Sequence, residues 1–247
     1  MTTWWSRTIL FAAMAGAALL PIAALGSRFG LWNWEPGIAI LLLGSALAMV
    51  GPASAMAAVL VARRRRLPRD LRACAIGLTI GMLSIAYLGL QLFRVLSVPP
   101  IHHVSTDVEE PPPFIAVDSL RASLGGGQFN TLDFDAETIA PLQSEAFPWV
   151  APLTLQADPE AAFAEARAAL LGLGMEIVAE HPPLGLIEAT ATTFWFGFKD
   201  DVAVRVRPHP QGAQIDVRSV SRVGVSDMGT NAERIGEILR RLSGEDQ

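Results

Sequence analysis

Five charged residues stand at strand parity in the C-terminal half of this 247-residue chain: Glu188, Arg205, Arg207, Asp216 and Arg218. Each lies in a run where apolar and polar residues alternate, so each shares a sheet face with its polar neighbours. Thr190 and Thr192 follow Glu188 at that parity, while Val202, Val204, Val206, Ile215 and Val217 point the other way. If these runs are adjacent strands, one surface collects three arginines and two carboxylates. Planar guanidinium forks on such a surface suit an anion or a lipid headgroup. Glu188 and Asp216 have the right type for the acid–base pair of a hydrolase, but no histidine or nucleophile is tied to them. The plainest outcome is cross-strand ion pairing on a solvated face, each pair contributing well under about 1 kcal/mol. The five form the candidate ligand-binding set, and no residue is assigned to catalysis.

His102, His103, Asp107, Glu109 and Glu110 are metal-ligand types, but they sit in the proline-rich run Ser97–Phe114. A metal centre needs ligands held in fixed geometry by a surrounding shell. The composition argues instead for an extended, semi-rigid spacer, and neither metal nor cofactor is expected. Gly125-Gly126-Gly127 lacks the Lys-Ser/Thr that completes a phosphate loop and is assigned as a simple loop. Cys74 is the sole cysteine, which excludes an intrachain disulfide.

The elements that must position the charged row follow from periodicity. Pro152–Gln156 reads as a strand. Asp158-Pro159-Glu160 opens a helix that ends near Gly172 and Gly174. Strands are expected at Met175–Ala179, Leu186–Trp195, Asp201–Arg207 and Gln214–Ser221, and a short helix over Asp135–Leu142. In the turn between two of these strands, Asp200 or Asp201 can bond its own backbone. The last helix buries Ala232, Ile235, Leu239 and Leu242, with Thr230 and Glu233 in capping-box spacing. The order β-α-β-β-β-β-α implies an antiparallel sheet with two helices on one face, an α+β domain.

Ahead of it, Thr8–Gly26, Gly37–Ala62 and Ala73–Phe93 contain no Asp, Glu, Lys or Arg. Each meets or approaches the roughly 20 apolar residues needed to cross a bilayer. Tryptophans 4, 5, 32 and 34 mark the edges, where amphipathic rings prefer the headgroup level. Small residues (Ala12, Gly16; Ala53, Ala57; Gly77, Gly81) recur at helix-packing spacing. Charge divides the same way. Residues 1–98 hold nine arginines against Glu35 and Asp70, whereas residues 99–247 hold ten basic and twenty-two acidic residues, leaving −5 overall. An acidic soluble part argues against a nucleic-acid partner, which needs a basic footprint. Six arginines in Arg63–Arg72 make that loop cytoplasmic by the positive-inside rule. The expected topology is a multi-pass inner-membrane protein with a retained first helix and a cytoplasmic N-terminus. Residues 1–96 form a three-helix anchor, 97–118 a Pro-rich linker, and 119–247 an extracytoplasmic domain.

The runs Ile187–Thr193, Phe196–Val202 and Asp216–Gly224, with Ser226-Asp227 and Asn231–Ile235, resemble the domain-of-unknown-function family 1499. Pro99-Pro100-Ile101-His102, Thr106-Asp107 and Pro111-Pro112 are similar to that family's entry segment, so the likeness covers about Pro99–Leu242. The family's Pro-Asn-Cys-Val-Ser-Ser-like element has no counterpart around Ser119–Ser123. The resemblance implies a bacterial membrane-attached or envelope protein and supplies no activity. The leading functional expectation is a non-catalytic module that binds an envelope protein or an anionic ligand beside the lipid bilayer. A carboxylate-dependent hydrolase and an accessory subunit of a membrane complex are the alternatives.

Overall fold

The computed structural model describes residues 2–125 and 129–244. Gly126 and Gly127 of the triple-glycine loop lie outside the described residues. The chain divides into two compact units: Met1–Leu96 with Phe194–Gly197, and Ser97–Thr193 with Phe198–Gln247.

The first unit contains α1 (Trp4–Arg28), α2 (Trp34–Arg64) and α3 (Pro68–Leu96). All three are long and apolar enough to cross a membrane. Pro21 and Pro52 lie inside α1 and α2 without ending them. Small residues mediate close approach, as expected for helices that cannot rely on hydrophobic exclusion in lipid. Gly16 of α1 faces Gly44, Leu47 and Ala48 of α2, and Gly81 of α3 lies against Pro52. The expected pair Ala53 and Ala57 is instead exposed, and Ala55, Ala58 and Ala62 turn inward. A spacing of four leaves the choice of face open, and packing decides it.

The second unit is an antiparallel sheet. Its strands are β1 (His103–Ser105), β2 (Leu153–Leu155), β3 (Glu176–His181), β4 (Leu186–Thr192), β5 (Lys199–His209) and β6 (Gly212–Ser221). They lie in the order β1-β6-β5-β4-β3, and β2 pairs with β6 on the β1 edge. From β2 onward the order is the expected β-α-β-β-β-β-α. Helices α6 (Pro159–Gly172) and α7 (Thr230–Ser243) cover one face. There Ile187, Ala189, Val202, Val204, Ile215 and Val217 meet Ala166, Leu170, Ile235 and Ile238 in a single core. Asp158 caps α6 by accepting from the Ala161 N–H at 2.9 Å. Thr230 does not cap α7. Asp227 takes that place, accepting from the N–H groups of Gly229 and Asn231.

The opposite, polar face is not solvated. The segment expected to be a spacer folds over it. His103 and Val104 are buried in β1, Thr106 accepts from the Val217 N–H through its hydroxyl, and α4 (Ala116–Ser123) packs against β3 and β4. The linker expected at 97–118 is therefore corrected. Its backbone finds hydrogen-bond partners on the sheet, so burial costs it little, and the prolines leave it with few donors to satisfy. Helix α5 (Ala136–Ala146) follows, capped by Asp135 and anchored where Gln143 bonds both the N–H and the carbonyl of Ser105.

Candidate functional site

Strand pairing brings three of the five expected residues together. Arg205 stands opposite Asp216, and Arg207 lies two residues further along β5. Asp216 is fully buried and pairs with Arg205 at 3.3 Å and Arg207 at 2.8 Å. The covering arm adds Asp107, 3.0 Å from Arg205 and 3.1 Å from Arg207, and Glu110, 3.0 Å from Arg207. Burial alone raises the Asp107 carboxyl, but hydrogen bonds from Glu110 N–H and Arg207 and the charge of Arg205 hold it below its ordinary value. Burial alone lowers the Arg207 guanidinium, and Asp216 and Asp107 more than offset this. Asp107 and Glu110 looked like metal ligands in sequence. Their role as arginine partners emerges only when the arm folds back.

Arg218 and Glu188 lie on the same face but serve the covering segment. Arg218 donates from Nε to His103 Nε2 at 2.7 Å, from Nη1 to the Pro112 carbonyl at 2.9 Å, and from Nη2 to the Leu132 carbonyl. Its Cζ sits 4.9 Å over the Phe114 ring. Burial lowers the Arg218 pKa to about 10. Glu188 accepts from the N–H groups of Ile115, Ala116 and Val117, each at 2.9 Å. Three free donors at the start of α4 are thus satisfied by a carboxylate from β4. The expectation that these two residues occupy a solvated face is corrected, because backbone groups of the arm take up their hydrogen-bonding capacity. Nor do the two expected carboxylates form a pair for acid–base work. Glu188 serves α4 and Asp216 serves two arginines.

A second buried network went unforeseen. Asp201 holds Arg222 at 2.7 Å and Arg121 at 2.7 Å, and Thr190 donates to it at 2.7 Å. Burial raises its carboxyl, but the Arg222 hydrogen bond and the Arg121 charge leave it below the ordinary range. Its neighbour Asp200 points to the helix face and binds Arg234 of α7 at 2.6 Å. Among the described residues, no three His, Cys, Asp or Glu side chains converge as a metal centre would require.

His103 carries a pH prediction. Burial first, then the charges of Arg218, His102 and Arg121, lower its pKa from 6.5 to about 2. The unfolded chain therefore binds a proton below pH 6.5 that the folded chain refuses until near pH 2. Stability is fully present above pH 6.5 and falls as pH drops, by about 1.4 kcal/mol per unit for a wholly shifted group. His103→Gln, which keeps an acceptor for Arg218, is expected to flatten this slope between pH 6 and 4.5, read by thermal melts of the full chain in detergent. Parallel wild-type and variant profiles would refute it.

An open cleft of about 400 Å³ adjoins the Arg205–Arg207 cluster, lined by Glu110, Pro111, Pro113, Leu184, Leu186 and Arg205. Three membrane-spanning-capable helices followed by an antiparallel α+β domain, closed on its polar face by its own N-terminal arm, define a membrane protein with one sheet domain. The chain belongs to the family described as "Protein of unknown function (DUF1499)", which matches residues 103–242. The match opens on the first residue of β1, so the covering arm is part of the family's domain. No curated protein matches the chain.

Proposed function

We propose that the protein is a multi-pass inner-membrane protein with a cytoplasmic N-terminus, whose sheet domain is displayed on the envelope side as a non-catalytic binding module. The orientation rests on the α2–α3 connection, where Arg63 to Arg66, Arg69 and Arg72 are all exposed. The binding reading rests on one observation. Arg207, with 35 % of its side chain exposed, is held from outside by Glu110, 75 % exposed, and Glu110 itself lines the cleft. An exposed ion pair contributes about 0–1 kcal/mol, so an incoming anion replaces the Glu110 carboxylate at little cost. Asp216 keeps Arg205 in place meanwhile, and Pro111, Pro113 and Leu184 offer an apolar wall. The ligand class is therefore an anion with an apolar body. Arg205, Arg218 and Glu188 support this site by holding the arm, and Asp216 holds Arg205 and Arg207.

The hydrolase alternative gains the histidine contact that the sequence reading lacked, His181 on Glu188, but the carboxylates are already occupied. Both oxygens of Glu188 accept backbone N–H groups, and His181 stands 3.1 Å from one of them. Both Asp216 oxygens are engaged by Arg205, Arg207 and Gln214. The test is titration of the full chain in nanodiscs with hexyl phosphate. Arg207→Gln is expected to weaken binding about tenfold or more, the loss of one charge-assisted hydrogen bond of about 1.5–3 kcal/mol. Arg167→Gln, remote on α6 and paired with Glu180, is expected to change nothing. Equal affinities for wild type and Arg207→Gln would end the proposal.

A further inference from the structure

The three-helix unit carries uncompensated positive charge at one end. The starts of α1 and α3 meet there, because the Asp70 carboxylate of α3 accepts from the Thr3 N–H at 2.7 Å, from the Thr3 hydroxyl at 2.8 Å and from the Ser6 hydroxyl of α1. The end of α2 joins them through Arg65, Arg66 and Leu67. Around this junction Arg63 to Arg66, Arg69, Arg72 and Arg7 are all exposed. Glu35, the other acid before residue 99, opens α2 at the far end. Asp70 is buried and occupied by Thr3 and Ser6. Among the described residues, none of the seven arginines is paired with a carboxylate.

Local structure is the worse for these charges. Arg66 takes φ +56°, the left-handed conformation that usually falls to glycine after a helix. That conformation closes α2, with the Leu67 N–H donating to the Ala62 carbonyl at 2.9 Å. Arg7, Arg69 and Arg72 stand near the starts of α1 and α3, the positive ends of the helix dipoles, where a cation is unfavourable. Four consecutive arginines also repel one another. Orientation by the positive-inside rule needs positive charge near the span ends, and a flexible loop supplies that. It does not need arginine at a left-handed position or at helix starts tied together by a buried aspartate. Departures from local preference on this scale mark a functional surface.

Depth in the bilayer points to the ligand. The uncharged run Ala73–Phe93 of α3 spans about 31 Å at 1.5 Å per residue, the thickness of a hydrocarbon core of about 30 Å. Arg72 therefore stands at the hydrocarbon boundary and Arg69 about one turn beyond it, among the headgroups. Trp4, 78 % exposed at the start of α1, is a residue type of that level. Guanidinium forks match phosphate oxygens two at a time. The short connection between α2 and α3 leaves little freedom to lose when a phosphate is bound.

We propose that this arginine surface binds the phosphate headgroups of anionic phospholipids in the leaflet it faces. The site lies wholly within the three-helix unit. It holds whichever side of the membrane that end occupies, and it is separate from the Arg207 cleft.

The experiment titrates the full chain in detergent into acyl-labelled phosphatidylglycerol or phosphatidylcholine and reads fluorescence anisotropy. The expected result is a preference for phosphatidylglycerol of about tenfold or more at low salt, since each arginine at an anionic surface contributes about fivefold. The preference should vanish near 1 M salt, where the screening length is about 3 Å. Arg69→Gln with Arg72→Gln should bring phosphatidylglycerol close to the level of phosphatidylcholine. Arg66→Gly guards against misfolding, because glycine suits the left-handed position. It should bind phosphatidylglycerol about fivefold more weakly while melting no lower than wild type. Arg207→Gln should keep the full preference, which separates this site from the cleft. Equal affinity of the wild type for the two lipids would overturn the proposal, as would a preference that survives in Arg66→Gly or disappears in Arg207→Gln.

Discussion

Asp201→Asn is expected to destabilise the sheet domain by about 3–5 kcal/mol, the range for leaving buried charge without its partner. The substitution keeps the shape of the side chain and removes only its charge. Two guanidinium groups then face each other across the start of β5, Arg121 from α4 and Arg222 from the residue after β6, both nearly inaccessible. Asn can still accept from one of them, but its amide must turn a donor toward the other donors. Against a total stability of about 5–15 kcal/mol, the loss is a large share. Denaturant melts of the full chain in detergent measure it. Arg121→Met supplies the partner experiment. With one guanidinium gone, Asp201→Asn should cost clearly less, because the two changes touch the same network. An equal cost in both backgrounds would show that Asp201 acts through something other than its arginines.

Asp201 also marks where sequence reading failed. With Asp200 it looked like turn chemistry, two acids after a Phe-Gly-Phe bend. In the fold the pair begins β5, and because successive strand side chains point to opposite faces, Asp200 pins α7 through Arg234 while Asp201 pins α4 through Arg121. No local pattern encodes that, since each partner lies far away in the chain. The strands and helices from β2 onward were legible because their periodicity reports which side is buried. Parity likewise grouped Arg205, Arg207 and Asp216. What parity cannot report is whether a polar face meets water or another segment. Residues 97–118 are rich in proline and acid, a composition that ordinarily means a solvated spacer. They are ordered here because Arg218 and Arg205 bind the Pro112 and Glu110 carbonyls, Glu188 binds their N–H groups, and Arg205 and Arg207 bind Asp107. The charged row read as a binding surface is largely the socket for the chain's own arm. The part left over is Arg207, whose side chain stays 35 % exposed.

That socket makes Glu188→Gln the sharpest probe of the arm. The carboxylate offers two oxygens to three N–H groups, two on Oε2 and one on Oε1, while His181 stands 3.1 Å from Oε1. An amide offers one oxygen, so whichever way it turns, its NH₂ opposes a backbone donor at the start of α4. Helix α4 has no side-chain cap of its own, since Ile115 occupies that position. Eight residues cannot hold a helix without tertiary support. The expected cost is about 2–3 kcal/mol, the worth of a charge-assisted hydrogen bond together with a buried donor left unmet. The effect should also be local. Hydrogen exchange at Ile115, Ala116 and Val117 is expected to accelerate strongly, with smaller increases along α4, while amides of β5 and β6 keep their protection. Uniform acceleration across the sheet would mean that the arm and sheet unfold as one unit. An unchanged exchange rate at the three amides would mean that Glu188 does not hold the helix at all.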